Sequence, residues 1–278
     1  MTTPPEAEVD AALGSAPVSF TALSGGQIGT VYRARLADGR RVVAKVGETP
    51  LDLEGRMLRF LASHSDLPVP AVHHASSDLL VIEYVEGETS HDAAVARDAA
   101  DHLAALHDRQ ASSYGFERDT VVGPVHQPNP WTDSWVEFYC DHRLRQVLSA
   151  RSFAPEIGER VESVCADLDD LLAEPDSPSL IHGDVWTTNV LSRDGRVTAF
   201  LDPAVYYAHP EVELAYIDWT GTFGEAFFER YREHRGIEPE FFERRRYVYR
   251  LYPLLIHVSL FGGRYHDALD RTLDRLGY

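Results

Sequence analysis

An α+β chain in two unequal parts is what the sequence predicts: a small antiparallel sheet with one main helix, then a larger, mostly helical region. Three observations carry this. Strand-like alternation crowds the first third, helical spacing dominates afterwards, and the change falls at Val85–Glu88, where Gly87 breaks the pattern. At 278 residues the chain is long enough for two lobes with a cleft between them, divided here as 1–86 and 87–278.

The elements follow in order. The polar, acidic MTTPPEAEVD stretch lacks the basic and apolar regions of a signal peptide and reads as a frayed leader to a short helix. Val18–Ser24 reads as a strand running into Gly25-Gly26-Gln27-Ile28-Gly29. Thr30–Leu36 alternates, Asp38-Gly39 signals a turn, and Arg41–Val46 alternates again. Leu51–Ser63 places Leu53, Met57, Leu58 and Leu61 at helical spacing, and Pro68 and Pro70 end that element. Short strands are expected at Ala71–Ala75 and Leu79–Tyr84. Helices are expected over Ala93–His107, Trp131–Ala150 and Ile157–Leu172, closed by Pro175 and Pro178. Ser179–Ile181 and Val197–Leu201 read as two strands around a loop. The remainder is expected to be helical, through Glu211–Trp219, Glu225–His234, Pro239–Leu260 and Tyr265–Leu276, punctuated by Gly236, Gly262 and Gly263.

Composition narrows the function classes. The net charge is −18, from 44 acidic and 26 basic residues, which repels nucleic acid and anionic membranes and suits basic or neutral substrates. No apolar run approaches the roughly 18 residues of a membrane span. The expectation is a cytoplasmic protein, monomeric or weakly dimeric. Cys140 and Cys165 lie in partly apolar helical segments and read as reduced core thiols. None of the 13 histidines forms HExxH, and there is no CxxC, so a structural zinc site is not expected.

The chemistry concentrates in LIHGDVWTTNVLSRDGRVTAFLDP, Leu180 to Pro203. His182-Gly183-Asp184, Asn189 and Asp202 supply two carboxylates and an amide, the inventory of a site that transfers a phosphoryl group from Mg-ATP. Asp184 to Asn189 is five positions, the spacing of the protein-kinase catalytic loop. Asp184 is the expected catalytic base, orienting the attacking hydroxyl with late proton transfer. Asn189 and Asp202 offer hard oxygens to Mg2+. His182 is expected to hold the loop by hydrogen bonds, and Gly183 to permit a tight backbone path.

Upstream, Val42-Val43-Ala44-Lys45 ends an alternating strand and resembles the strand lysine that pairs with ATP phosphates. Such a lysine needs an anionic partner; Glu54 on the next helix is the better placed and Asp52 the alternative. Gly25 and Gly26 open a loop whose amides could cover phosphates, or which could simply turn a hairpin. Glu83-Tyr84-Val85 would be a hinge whose backbone meets adenine, assigning Glu83 and Val85 to the nucleotide site.

HGDVWTTN followed by FLDPAVYYAHPEVELA resembles the fructosamine-3-kinase (ketosamine-3-kinase) family, whose usual forms are close to HGDLWSGN and IDPAVYYGHREADLA. Further likeness lies at Ser113–Asp119, Gln127–Phe138, Leu251–His257 and Leu260–Gly263, so it spans roughly Phe20 to the C-terminus. The resemblance implies a two-lobed protein-kinase-like fold of the aminoglycoside-phosphotransferase kind. It implies ATP-dependent phosphorylation of a ketosamine at its sugar 3-hydroxyl, with an unstable product that sheds the sugar. Ribulosamine, erythrulosamine or fructosamine adducts, free or on protein lysines, would be the substrates. By position, Asp184 matches the family's catalytic aspartate, Asn189 and Asp202 its metal ligands, and Lys45 with Glu54 its nucleotide pair. Trp186 is suited to packing on a sugar face or to anchoring the loop. Tyr206, Tyr207 and His209 follow the metal aspartate closely and are expected either to line the acceptor site or to pack. Three positions depart from the family: Gln27 replaces a common Cys or Ser, Thr188 the glycine before Asn189, and Glu213 a common Asp. A kinase for another hydroxylated amine, aminoglycoside- or choline-like, and a nucleotide-binding pseudokinase are the alternatives.

Overall fold

The computed structural model describes residues 5–23, 29–47 and 49–278. Gly25, Gly26 and Gln27 lie outside the described residues, and with them the expectation of a phosphate-covering glycine loop. Helix α1 (Glu6–Leu13) precedes strands β1 (Pro17–Leu23), β2 (Thr30–Leu36) and β3 (Arg41–Val46), helix α2 (Leu51–His64), and strands β4 (Val72–Ala75) and β5 (Leu79–Glu83). The strands form one antiparallel sheet in the order β1-β2-β3-β5-β4. Alternation along β3 decides what each face meets. Val42 and Ala44 join Val9 of α1 in one apolar cluster, while Val43 packs with Leu51 and Leu58 of α2 on the other face. Lys45 shares the α2 face and pairs in register with Val31 and Leu80. Gly55 lets α2 approach: a Cβ there would stand 2.5 Å from the Ala75 Cβ.

The second region begins where Glu86 pairs with both Arg41 and Arg193 and the Glu88 and Ser192 amides donate to each other's carbonyls at 2.8 Å. Helix α3 (Ala93–His107) starts at Asp92, whose carboxylate accepts from the Ala94 and Val95 amides. A hairpin of β6 (Thr120–Val122) and β7 (Val125–Gln127) follows. The expected helix over Trp131–Ala150 starts later. Ser134 caps α4 (Trp135–Tyr139), which runs through a π-helical stretch (Cys140–Arg145) into α5 (Gln146–Ala150). The expected Ile157–Leu172 helix is two pieces, α6 (Pro155–Ala166) and α7 (Leu168–Leu171), broken at Asp167.

The motif segment forms the two expected strands, with a third in the loop between them. Strands β8 (Ser179–Ile181) and β10 (Arg196–Phe200) do not pair with each other. β10 pairs with β9 (Val190–Arg193), and β8 pairs with β11 (Tyr206–Ala208). Asp202 therefore returns to Asp184 because β11 runs back along β8. Helices α8 (Glu211–Thr220), α9 (Glu225–Arg235), α10 (Arg246–Phe261) and α11 (Arg264–Leu276) complete the chain, with a π-helical turn over Phe241–Arg245. Pro253 lies inside α10 and cannot donate to the Tyr249 carbonyl. The Tyr139 hydroxyl does so instead, at 3.1 Å. Cys140 and Cys165 are buried free thiols. Among the described residues no helix is long and apolar enough to cross a membrane.

Candidate active site

Lys45 reaches from the central strand toward the second region. Its ammonium donates to Glu54 Oε1 at 2.6 Å and also pairs with Asp202. Lys45 and Glu54 side chains are each 15% exposed, while Asp202 stands 47% exposed at the edge of the cleft. Burial opposes the Lys45 charge, but Asp202 and Glu54 outweigh it and hold its pKa above the ordinary lysine value. Burial, only partly offset by Lys45, pushes Glu54 up to about 7. For Asp202 burial is outweighed by Lys45, which holds the carboxyl below its usual range. Of the two acids weighed from sequence, the lysine takes Glu54; Asp52 faces Arg56.

The loop after β8 is shaped by its backbone. Gly183 has φ +87°, and a Cβ there would lie 2.2 Å from the Ala204 carbonyl oxygen. Only glycine fits, because the neighbour is backbone and the φ is left-handed. The Asp184 amide donates to His182 Nδ1 at 3.3 Å, and burial lowers the His182 pKa. Both amide protons of Asn189 go to Asp184, one to its carbonyl at 3.0 Å and one to Oδ2 at 2.9 Å. That orients Asn189 Oδ1 as the atom available to a cation. Asp202 has φ +53°, a left-handed conformation that Asp tolerates better than most residues and that still stores strain. Enclosure and the nearby Asp202 charge raise the Asp184 pKa to about 7, against hydrogen bonds from Tyr216 and Asn189.

Further contributors come from outside the motif segment. Glu213 of α8 accepts from the Gly183 amide at 2.7 Å and the His182 amide at 3.4 Å. His107 Nε2 donates to the same carboxylate at 2.9 Å, while its Nδ1 accepts from the Tyr231 hydroxyl at 2.6 Å. This buried relay ties α3, α8 and α9 to the loop. Tyr216, one turn along α8, lies near enough to the Asp184 carboxylate to oppose the rise in its pKa.

The remaining sequence-derived positions separate. Trp186 is half-buried between Asp184 and Asn189, its carbonyl accepting from the Asn189 amide at 2.9 Å. Tyr206 is buried, with the Arg143 guanidinium 4.0 Å from its ring centroid. Arg143, itself fully buried, also donates to Pro128 and His142 carbonyls and to Asn129 Oδ1. Tyr206 thus packs in the core. Tyr207, on the other face of β11, lies near Trp131 and Phe116. His209 is buried near Trp135 and Tyr249, and burial followed by the Arg245 charge lowers its pKa to about 3. Its Nδ1 accepts from the Glu211 amide at 3.1 Å. Glu83 and Tyr84 commit their amides to the Ala71 and Arg41 carbonyls.

The donor set fits Mg2+ carried by a nucleotide. Among the described residues no cluster of three or more His, Cys, Asp or Glu forms a cage of its own. One carboxylate and one amide oxygen are what an ion shared with phosphates requires.

The chain matches the family model described as fructosamine kinase over residues 4–277. It is 37% identical over 215 residues to a Synechocystis sp. protein named probable ketoamine kinase, covering 74% of this chain and 71% of that one. It is 30% identical over 242 residues to a chloroplastic protein-ribulosamine 3-kinase of Oryza sativa subsp. japonica, covering 83% and 69%. The crystal structure of a Thermobifida fusca protein provisionally named fructosamine-3-kinase superposes with a TM-score of 0.86 at 28% identity, covering 99% of both chains. Aminoglycoside phosphotransferase APH(4)-Ia, solved as a thermostable mutant with AMP-PNP and hygromycin B, shares the fold at a TM-score of 0.68 and 19% identity, covering 99% and 97%.

Proposed function

The chain belongs to the fructosamine kinase family, and from that premise we propose that it phosphorylates ketosamines at the sugar 3-hydroxyl, with ribulosamine, erythrulosamine and fructosamine adducts of amines as the substrate class. The 3-phosphate product would then eliminate its sugar and return the amine, a deglycation. The observation that carries this reading is the convergence of Asp184, Asn189 and Asp202 with the Lys45–Glu54 pair in one cleft.

Residues 1–86 form the nucleotide lobe and 87–278 the catalytic lobe, meeting at Glu86 and Glu88. Lys45, held extended by Glu54, grips the α- and β-phosphates of ATP. With the Glu83 and Tyr84 amides committed to the sheet, Val85 N–H is the hinge donor toward adenine. Asn189 Oδ1 and Asp202 would hold Mg2+, which would supply charge neutralisation along the phosphates. Asp184 accepts the hydrogen bond of the sugar 3-hydroxyl; Asn189 and Tyr216 take only part of the carboxylate's accepting capacity. The proton passes to Asp184 late, as bond formation to phosphorus makes the hydroxyl acidic. Trp186 offers its half-buried ring to the sugar.

The test is ATP consumption with ribulosamine, erythrulosamine and fructosamine adducts of lysine, with choline and aminoglycosides as controls. Wild-type protein should consume ATP with the adducts and not the controls. Asp184→Ala should fold normally and lose about 10³-fold or more in turnover. Near-wild-type turnover in Asp184→Ala, or ATP consumption with an aminoglycoside alone, would overturn the reading.

A further inference from the structure

Five rings form a chain that starts at Tyr216, the neighbour of Asp184, and leads away from it, and phosphoryl transfer draws on only that first ring. Tyr216 and Trp219 of α8 lie 6.0 Å apart, centroid to centroid. Trp219 meets His257 of α10 edge-on at 5.1 Å and Tyr265 of α11 at 6.4 Å. His257 is 4.9 Å from Tyr265, and Phe261 is 5.6 Å and 6.0 Å from these two. Core aromatics such as Trp135, Phe138 and Tyr139 are fully buried. These five are each partly exposed, Phe261 at 47%. Partly exposed aromatic surface that starts next to a reacting group is a place for ligand, not only for packing.

The chemistry of the cluster selects a cation. His257 Nδ1 donates to the Pro253 carbonyl at 2.7 Å, which fixes the tautomer and leaves Nε2 as an acceptor. Burial lowers the His257 pKa, so the ring stays neutral. Asp218, between Tyr216 and Trp219 in sequence, is already paired with Arg246 and Arg250. The exposed Arg264 guanidinium lies 5.1 Å from the Tyr265 ring centroid and donates to its hydroxyl, so one ring already carries a cation at its rim. Distance agrees too. In a ketosamine the amine nitrogen is four bonds from the 3-hydroxyl oxygen, roughly 5 Å. With that oxygen at Asp184, which has Tyr216 as its neighbour on α8, an amine directed along the ring chain comes within reach of Trp219.

We propose that Trp219, His257, Phe261 and Tyr265 form the subsite for the amine-bearing arm of the acceptor, taking the protonated secondary amine and the alkyl chain beyond it. The subsite rests on the ketosamine-kinase reading and deepens it. It makes the amine, and not only the sugar, a determinant of binding.

The experiment compares wild type, Trp219→Leu, Trp219→Phe and Tyr265→Leu. Substrates are the ribulosamine of lysine and its ether analogue, in which oxygen replaces the amine nitrogen, the latter read as a competitive inhibitor. Trp219→Leu and Tyr265→Leu should each raise KM for the ribulosamine about tenfold, with kcat and the KM for ATP within about twofold. The Ki of the ether should stay unchanged, and Trp219→Phe should restore most of the affinity. An ether that fails to inhibit even wild type equally supports the subsite when the leucine variants show the KM rise. Equal losses for amine and ether, a loss confined to kcat, or no change overturns the subsite alone. Wild-type protein inactive on every ketosamine overturns the parent reading and the subsite together.

Discussion

Replacing Gly183 with alanine separates the geometry of the catalytic loop from its chemistry, because no reacting group is altered. The new Cβ would lie 2.2 Å from the Ala204 carbonyl oxygen at a φ of +87°. Reaching even a tight non-bonded separation requires about 1 Å of retreat. Ala204 cannot yield freely: its amide donates to the His182 carbonyl at 2.8 Å, and its own carbonyl accepts from Gln127 Nε2 at 3.3 Å. Asp184 follows Gly183 directly, and Asp202 lies two residues before Ala204, so the retreat changes the separation of the two carboxylates. The left-handed φ costs about 1–2 kcal/mol and the overlap about 1–3 kcal/mol. A displacement of about 1 Å at a reacting centre costs about 100-fold in rate, or about 2.7 kcal/mol of barrier.

Gly14→Ala is the control. Gly14 also has a left-handed φ, +64°, but a Cβ there meets nothing within 4 Å. It bears the backbone term without the clash. The assay is kcat/KM on the best ketosamine, together with urea unfolding of both variants. Gly183→Ala should lose about 100-fold in kcat/KM and about 2–5 kcal/mol in stability. Gly14→Ala should lose about 1–2 kcal/mol and keep its activity. If Gly183→Ala retained kcat/KM within about threefold of wild type, the contact with Ala204 would not set the loop.

Two further outcomes concern stability. The His209 pKa is depressed from 6.5 to about 3 in the fold, so between those values the unfolded chain binds the extra proton and stability is lost as pH is lowered. Lowering pH from 7 to 5 should remove about 2 kcal/mol through this group. His209→Asn, measured by urea unfolding at both pH values, should flatten the slope by that amount; an unchanged slope would refute the assignment. Tyr139→Phe should cost about 1–3 kcal/mol by leaving the Tyr249 carbonyl without its donor. In a Pro253→Ala background, where the backbone amide returns, that cost should shrink, and a cost that stayed the same would show that the hydroxyl does not replace the missing amide.

Legibility in the sequence followed the range of the interaction. The Lys45–Glu54 pair spans nine residues and the Asp184–Asn189 contact five, and local spacing exposed both. The β2–β3 hairpin was legible because Asp38-Gly39 carries its own turn chemistry. Glu213 and His107 are 106 positions apart, and nothing local at either end reports the bond. Arg143 sits in Cys140-Asp-His-Arg-Leu-Arg145, a charged run that reads as surface, whereas carbonyls and aromatic rings enclose it. Proximity to Asp202 leaves Tyr206 open to lining the acceptor or to packing; strand alternation turns it into that core. Val122-Gly123-Pro124-Val125 carries a turn signal for the β6–β7 hairpin, but strands of three residues each are too short for alternation to report them.

Helix α8 joins chemistry to specificity through its register. Glu213, Tyr216 and Trp219 succeed one another at intervals of three, and each step drifts by about 60° around the axis. Glu213 faces inward and holds the His182 and Gly183 amides. Tyr216 faces the Asp184 carboxylate. Trp219 has turned far enough to meet His257 and Tyr265 at the surface. One rigid element thus presents, in sequence, a support for the loop, a neighbour of Asp184 and the start of the proposed acceptor surface. A rotation of α8 would move all three together, which ties the position of the base to the position of the amine. The helix is pinned against such rotation: Glu211 at its start pairs bidentately with Arg245, and Asp218 near its end pairs with Arg246 and Arg250. Those pairs lie within about one turn of Glu213, Tyr216 and Trp219, so on the proposed reading a change in α8 register would alter turnover and acceptor choice together.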